Sequence, residues 1–377
     1  MTASYFFVNK KNLISALFFG LTLYTYQGGK LMSPLLIIIL IIATKTKIFS
    51  KQFIVKFVLL LFIFSLPIII GLLTQNDSNR LQVFGLWSYH RPKDEVAVIL
   101  KESDPFNFEI FHSEPIFVAR NFIIRYFNHL SPRFLAFEGD WQIGRHSAPY
   151  IGVMLYPSII FILIGIIATL STSLTPINAF FLLFLLIGPL PAALTRDIIQ
   201  PVRSLSLSIP LIYFTAVGIL SSVKYLPKFI IITAYLLSFY YYSDLYYNHM
   251  VKVKPDHWLF GYQPAMQYLI DHQANKDVTF TDFYGQPYIF YLFQSKYDPS
   301  AYQSQSNLIV SGLDTGKISK IDKIKFETPN FQSLSKKPNQ LFIMSYDDAL
   351  RQGIDLKILT PLSPVNGHSS FYAYETK

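Results

Sequence analysis

The sequence predicts an α-helical multi-pass membrane bundle of about seven spans, followed by a small extracytoplasmic α/β domain. Three observations carry that prediction. The 377 residues are 51% hydrophobic and 15% charged, where a soluble globular chain carries about a quarter charged residues. Long uncharged apolar stretches recur through residues 1–243. Residues 244–377 instead show balanced charge and short alternating apolar runs.

Lipid offers a bare backbone no hydrogen-bond partner, so long apolar stretches are stable there only as helices, at about 20 residues per crossing. Asn12 to Gly29 is uncharged between Lys11 and Lys30, Leu31 to Phe49 is apolar with Lys45 and Lys47 near its end, and Phe57 to Leu73 follows Lys56. Residues 1–73 are therefore read as three transmembrane helices, and residues 74–150 as an outer loop. No charge occurs from Ser147 to Thr195, and Ser171-Thr-Ser-Leu-Thr-Pro176 breaks that stretch into two helices. Ser204 to Val223 and Phe229 to Ser243 complete four spans in residues 151–243. Leu31–Phe49 and Phe229–Ser243 have the shortest clean runs.

Alternating the sides leaves one set of loops with Lys10, Lys11, Lys45, Lys47, Lys51, Lys56, Lys224 and Lys228 and no acidic residue. These belong in the cytoplasm by the positive-inside rule. The segment 74–150, the turn around Arg196–Arg203 and everything after residue 243 then lie outside, at a plasma membrane. The net charge of +9 sits with the apolar part: residues 1–243 hold 19 Lys/Arg against 10 Asp/Glu, and residues 244–377 hold 13 against 13. Such an excess reads as topology, which removes nucleic acid as a partner and leaves the lipid bilayer. The absence of cysteine excludes a disulfide scaffold, a thiolate metal site and a cysteine nucleophile. The run after Met1-Thr-Ala-Ser-Tyr-Phe-Phe continues past any small-residue cleavage site, so a signal peptide is not expected. All nine arginines fall on the outer side in this topology. Chance with codon preference accounts for that as well as a phosphate-bearing ligand, which a planar guanidinium would bind in pairs of bonds.

In the outer loop, Ala119, Phe122, Ile123, Tyr126, Phe127 and Leu130 recur at helical spacing, with Asn121, Arg125, Asn128 and His129 opposite and Arg120 flanking. This predicts an amphipathic helix at the membrane surface or under the soluble domain, with a floor beneath that domain favoured over ligand contact. Residues 131–149 follow, where Glu138 and Asp140 stand close to Arg145 and His146 beside a lipid boundary. A salt-bridged turn-rich loop and a ligand-binding edge both fit, and spacing alone does not decide between them.

Three pieces in order carry a family resemblance: Tyr24-Thr-Tyr26-Gln-Gly-Gly-Lys30 with Pro34; Phe134-Leu-Ala-Phe-Glu-Gly-Asp140 with Arg145-His146 and Gly152; and Pro191-Ala-Ala-Leu-Thr-Arg196-Asp197 with Arg203. Together they resemble the C-terminal two thirds of multi-pass GT-C glycosyltransferases, in particular the bacterial relatives of protein O-mannosyltransferases and of lipid A aminoarabinose transferase. The resemblance implies a sugar taken from a polyprenyl-phosphate carrier at the outer face and placed on an acceptor hydroxyl. Lys30, Arg145, Arg196 and Arg203 fall at outer span ends, where their charge would hold the donor phosphate and stabilise it as it leaves. Glu138, Asp140 and His146 are the candidates for sugar or acceptor contact. Each cation taken singly also reads as a snorkelling anchor.

Two departures qualify the match. The family's general base is an Asp or Glu in the first outer loop, and Gln27-Gly-Gly-Lys30 has no carboxylate. The resemblance therefore implies that the N-terminal spans and the catalytic carboxylate lie elsewhere, in a split or truncated enzyme or on a second chain. Glu138 and Asp140 are weak stand-ins for that base. Leu155-Tyr-Pro157-Ser also lacks the acidic residue expected near the start of its span.

For residues 244–377 the pattern predicts helices at Gln263–His272, Pro287–Gln294 and Asp347–Gln352. Strands are predicted at Val278–Phe283, Ile324–Phe326, Leu341–Ser345, Leu356–Leu362 and Ser370–Tyr374. Tyr346-Asp-Asp348 reads as an acidic helix N-terminus rather than a metal site. No phosphate loop, nucleophile elbow or paired-histidine motif appears, and the domain is expected to shape an acceptor cleft. No cofactor is named by the sequence, and a divalent metal is left open. The competing reading is a non-catalytic membrane anchor presenting an α/β recognition domain outside the cell. Transport ranks third, because the spans hold no buried charge pair.

Overall fold

A computed structural model describes residues 1–44, 50–74, 85–88, 90–253, 255–305, 309–310, 316–362 and 369–376. Lys45 and Lys47, expected to snorkel at a span end, lie outside these residues. The chain divides into two compact units, Met1–Tyr247 and Asn248–Lys377.

The first unit is helical: α1 (Thr2–Val8), α2 (Asn12–Thr25), α3 (Gln27–Ala43), α4 (Lys51–Thr74), α5 (Lys93–Glu102), α6 (Glu114–Asn128), α7 (Tyr156–Leu170), α8 (Pro176–Ile187), α9 (Leu190–Ala193), α10 (Ser208–Ser222) and α11 (Lys228–Asp244). Among the described residues, three helical stretches are long and apolar enough to cross a membrane: Lys51–Gly71, Pro176–Ala193 and Leu205–Ser222. By length and composition this replaces the expected count of about seven. Asn12–Thr25, Gln27–Ala43 and Tyr156–Leu170 are apolar but shorter.

Local backbone explains the shortfall. Tyr26 is extended, with φ −156° and ψ 153°, so α2 stops after 14 residues, about 21 Å of helix. Tyr150 takes a left-handed φ of +61°, and Pro157 sits in the first turn of α7, where its missing N–H costs nothing. The uncharged run beginning at Ser147 therefore turns helical only at Tyr156. Helix α11 covers the expected Phe229–Ser243 and extends it to a charged residue at each end.

Packing in this unit depends on close backbone approach and aromatic contacts. A Cβ added to Gly165 of α7 would lie 1.9 Å from the Phe214 carbonyl oxygen of α10, and one added to Gly218 would lie 1.9 Å from the Phe161 carbonyl oxygen. Only glycine lets the two backbones meet this closely, the device by which membrane helices associate without a hydrophobic driving force. Helices α2 and α4 run parallel: Asn12 reaches the Phe53 carbonyl at 3.3 Å, and further along Tyr24 donates to the Phe64 carbonyl at 2.9 Å. Phe57 fills the space between them, edge-on to Phe7 and Phe19.

The second unit holds a six-stranded sheet in the order β4-β5-β1-β6-β8-β7. These strands are β1 (Asp277–Phe280), β4 (Lys320–Ile321), β5 (Ile324–Phe326), β6 (Gln340–Ser345), β7 (Thr360–Leu362) and β8 (Phe371–Glu375), with β2 (Ile309–Val310) and β3 (Gly316–Lys317) forming a separate pair. Strand β1 runs parallel to both β5 and β6, with Val278 opposite Ile324 and Leu341, whereas β8 is antiparallel to β6 and β7. All six β6 residues are buried, as a strand covered on both faces requires. Helices α12 (Tyr262–His272) and α13 (Pro287–Gln294) cover one face through Tyr262, Met266, Leu269 and Tyr291. Ala349 of α16 (Tyr346–Arg351) packs on Phe342 and Met344 of the other face, with Phe331 of α15 (Phe331–Leu334).

The acidic helix start read at Tyr346–Asp348 is a capping box. Ser345 Oγ accepts from Asp348 N at 3.0 Å and Asp348 Oδ2 accepts from Ser345 N at 3.2 Å. The expected strand Leu356–Leu362 begins instead as a 3₁₀ turn over Leu356–Ile358, because the Asp355 carboxylate accepts from Lys357 N. Helix α14 (Pro299–Gln305) and β4 are too short and polar to show a period.

Gly218→Ala is expected to cost about 1–3 kcal/mol through overpacking at the α7–α10 seam. The readout is a lower thermal midpoint in detergent. Gly71→Ala is the control, since a Cβ there meets nothing within 4 Å.

Candidate functional site

Helix α6 forms where its periodicity predicts, and its polar stripe is the buried one. Arg125 is 3% exposed and His129 fully buried, whereas Ile123 and Phe127 are more than half exposed. The inward polar groups fasten the segment that follows α9. Arg125 Nη2 donates to the Arg196 carbonyl at 2.9 Å, and Asn128 reaches the Ile198 carbonyl at 3.4 Å. The imidazole of His129 lies 2.7 Å from the Arg125 carbonyl through Nδ1, and its Nε2 accepts from Gln200 N at 3.0 Å. Those partners fix the tautomer, with the proton on Nδ1. Burial pushes His129 below its usual 6.5, which keeps Nε2 free to accept.

Residues 194–204 are tied from other sides as well. Leu86 N donates to the Leu194 carbonyl at 2.9 Å, and Gly85 bridges Thr195. Arg203 pairs with Asp197 at 2.6 Å, both about a fifth to a quarter exposed, while Arg196 is exposed. A Cβ on Gly28 would lie 3.8 Å from Pro191 Cβ, so the first turn of α3, which carries a half-buried Lys30, sits beside the start of this segment.

The segment 133–154 joins the same end of the bundle through His129, whose ring meets Phe134 edge-on with centroids 5.4 Å apart. Phe134, Leu135 and Ala136 carbonyls accept from Val153, Met154 and Gly152 N–H groups at 2.8–3.1 Å. A side chain at Gly152 would strike the Leu135 backbone at 2.3 Å, so the clamp requires glycine there. Within the loop the Asp140 side chain has no exposed surface. Its Oδ1 accepts from Gln142 N and Ile143 N at 2.9 and 2.8 Å, and its Oδ2 lies 2.8 Å from His146 Nδ1. His146 keeps 16% of its side chain exposed. With Nδ1 donating to the carboxylate, Nε2 is an acceptor able to orient a hydroxyl or take its proton. Arg145 beside it is exposed.

Glu138 lies apart from this carboxylate–imidazole pair. It makes a 2.6 Å surface ion pair with Arg133, each about half exposed, and the Arg133 guanidinium stacks on Trp141 at 4.2 Å. The structure thus assembles the segments that bear Lys30, Arg145, Arg196 and Arg203, brings Asp140 and His146 into contact, and turns Glu138 to a separate surface pair. Arg125 and His129 are the organising residues, which the sequence placed only on the polar face of an amphipathic helix expected to form a floor beneath the second domain. Their signal was present in the polar stripe, whose direction no periodicity reveals. No protein-family model, curated protein or solved structure matches the chain.

Two outcomes follow from these bonds. A histidine held below its unfolded value contributes stability that is complete above pH 6.5 and is lost as the pH falls through the depressed value. The thermal midpoint should drop between about pH 7 and about pH 5, and His129→Gln should lower stability at neutral pH while flattening that acid dependence. Asp140→Ala removes three bonds to a charged acceptor, each worth about 1.5–3 kcal/mol. Faster amide exchange at Gln142 and Ile143, with α7 unaffected, is the expected reading.

Proposed function

We propose that this chain is a membrane glycosyltransferase of the GT-C type, which takes a sugar from a polyprenyl-phosphate donor at the outer face of the plasma membrane and passes it to an acceptor hydroxyl. One observation supports the reading above the others. Three segments far apart in sequence, those that carry the resemblance, are knit together at one end of the bundle through Gly28, Arg125, His129 and Gly152.

In this reading that end faces outward, the lysines of the opposite loops face the cytoplasm, and the three long apolar helices cross the bilayer. Arg145, Arg196, Arg203 and Lys30 hold the donor phosphate. Guanidinium groups match its oxygens in pairs, and their charge stabilises the phosphate as the glycosidic bond breaks. His146 contacts the sugar or acceptor hydroxyl and Asp140 is its positioning residue, while Glu138 borders the loop. The acceptor proton would go to a carboxylate that Gln27-Gly-Gly-Lys30 does not supply, carried by the missing part of a split or truncated enzyme or by a second chain, with Glu138 and Asp140 the weaker candidates.

The test is binding and transfer, measured separately, in nanodiscs with labelled polyprenyl-phosphate sugars. Arg196→Gln combined with Arg203→Gln should weaken donor binding by at least about tenfold, since each charge-assisted bond contributes about 1.5–3 kcal/mol. Undiminished binding in the double variant would overturn the assignment.

A further inference from the structure

Away from this end, the first unit contains a groove that the proposed transfer does not use. Helix α11 runs antiparallel to α7, and hydrogen bonds and ring contacts join the two near the start of α7. Tyr156 N donates to Ser238 Oγ at 3.2 Å and Ser158 Oγ meets the Tyr235 hydroxyl at 3.0 Å. The rings of Tyr241 and Tyr235 stack on Tyr156 and Phe161. Alongside these contacts runs a groove of about 970 Å³, lined from Tyr156 and Pro157 at the start of α7 to Ser171 and Thr172 just past its end.

One wall is Ile164, Ile167 and Ala168 of α7, and the other is Ile231 and Ala234 of α11. The groove cannot close by sliding α7 sideways, because the Gly165–Gly218 seam already brings α7 and α10 to backbone contact. Ser171, Thr172, Ser221 and Ser222 line it near Lys224, with Ser171 and Ser222 bonded to carbonyls of their own helices, and between the apolar walls water finds few partners. The groove ends at Lys224, whose ammonium lies 4.7 Å from the Tyr225 ring centre. Among the described residues no carboxylate lines it. Helix α10 leads from the Arg203 segment to Lys224, so this mouth lies at the opposite end of α10 from the candidate site.

We propose that the groove binds one anionic phospholipid, with an acyl chain between α7 and α11 and the headgroup phosphate on Lys224. Apolar walls with Lys224 as the one charged lining residue among the described residues match an amphiphile with one net negative charge. A zwitterionic lipid brings its own ammonium to the same place and gains less. The inference requires only that this unit be embedded in a bilayer, and stands or falls independently of sugar transfer.

The experiment is native mass spectrometry of the full chain released from nanodiscs containing equal phosphatidylglycerol and phosphatidylcholine. One retained phosphatidylglycerol is expected, preferred about fivefold, the effect of one lysine near a charged headgroup. Lys224→Gln should bring the ratio near one. Lys228→Gln, which removes a neighbouring charge that does not line the groove, should leave the preference intact. Ala168→Trp and Ala234→Trp plug the groove from opposite walls and should abolish the retained lipid. Equal retention of the two lipids by the wild-type chain, or equal effects of the two lysine variants, overturns the proposal. It is also overturned if the tryptophan variants keep the lipid and instead change the oligomeric state, which would mean that a second copy fills the groove. Should the tryptophan variants fail to fold, the lysine pair decides the matter alone.

Discussion

A polar group buried inside a helical unit has nothing to bond with except the protein itself, and this constraint organises the end of the bundle that carries the candidate site. Helix α6 answers it by facing inward with Arg125, Asn128 and His129 and outward with Ile123 and Phe127. Because its polar groups need partners, the carbonyls and amides of residues 196–200, a stretch with no regular structure of its own, become the partners. One requirement thus satisfies the helix and fixes the loop.

The same logic operates at Asp140 on a smaller scale. Removing a carboxylate from water is expensive unless its lone pairs are filled, and two backbone amides and an imidazole fill them. The result is a loop whose shape is set by a charge at its centre, and a histidine whose orientation is set by that loop. Asp140 does this from a position with no exposed side-chain surface. It acts through His146 rather than by contact with a ligand.

Much of the second unit was legible because its elements repeat. Pro287–Gln294 and Ile324–Phe326 form where the apolar pattern put them, and Leu341–Met344 at the centre of β6 is the apolar run that a strand buried on both sides requires. Helix length in the first unit was less legible. Hydropathy measures how far an apolar run extends but carries no sign of the extended Tyr26 or the left-handed Tyr150, which stop or delay the helices within such runs. At the candidate site the polar residue types were visible in the sequence. The pairing of Asp140 with His146, and of His129 with Gln200, depends on contacts through space that spacing does not encode.

The glycine contact between α7 and α10 has a consequence for motion. Two helices whose backbones touch have no compliant side chains between them, so they move as one strut. That strut ends beside the 133–154 clamp at one helix and the 194–204 segment at the other, and the separation of those two loops is therefore held constant.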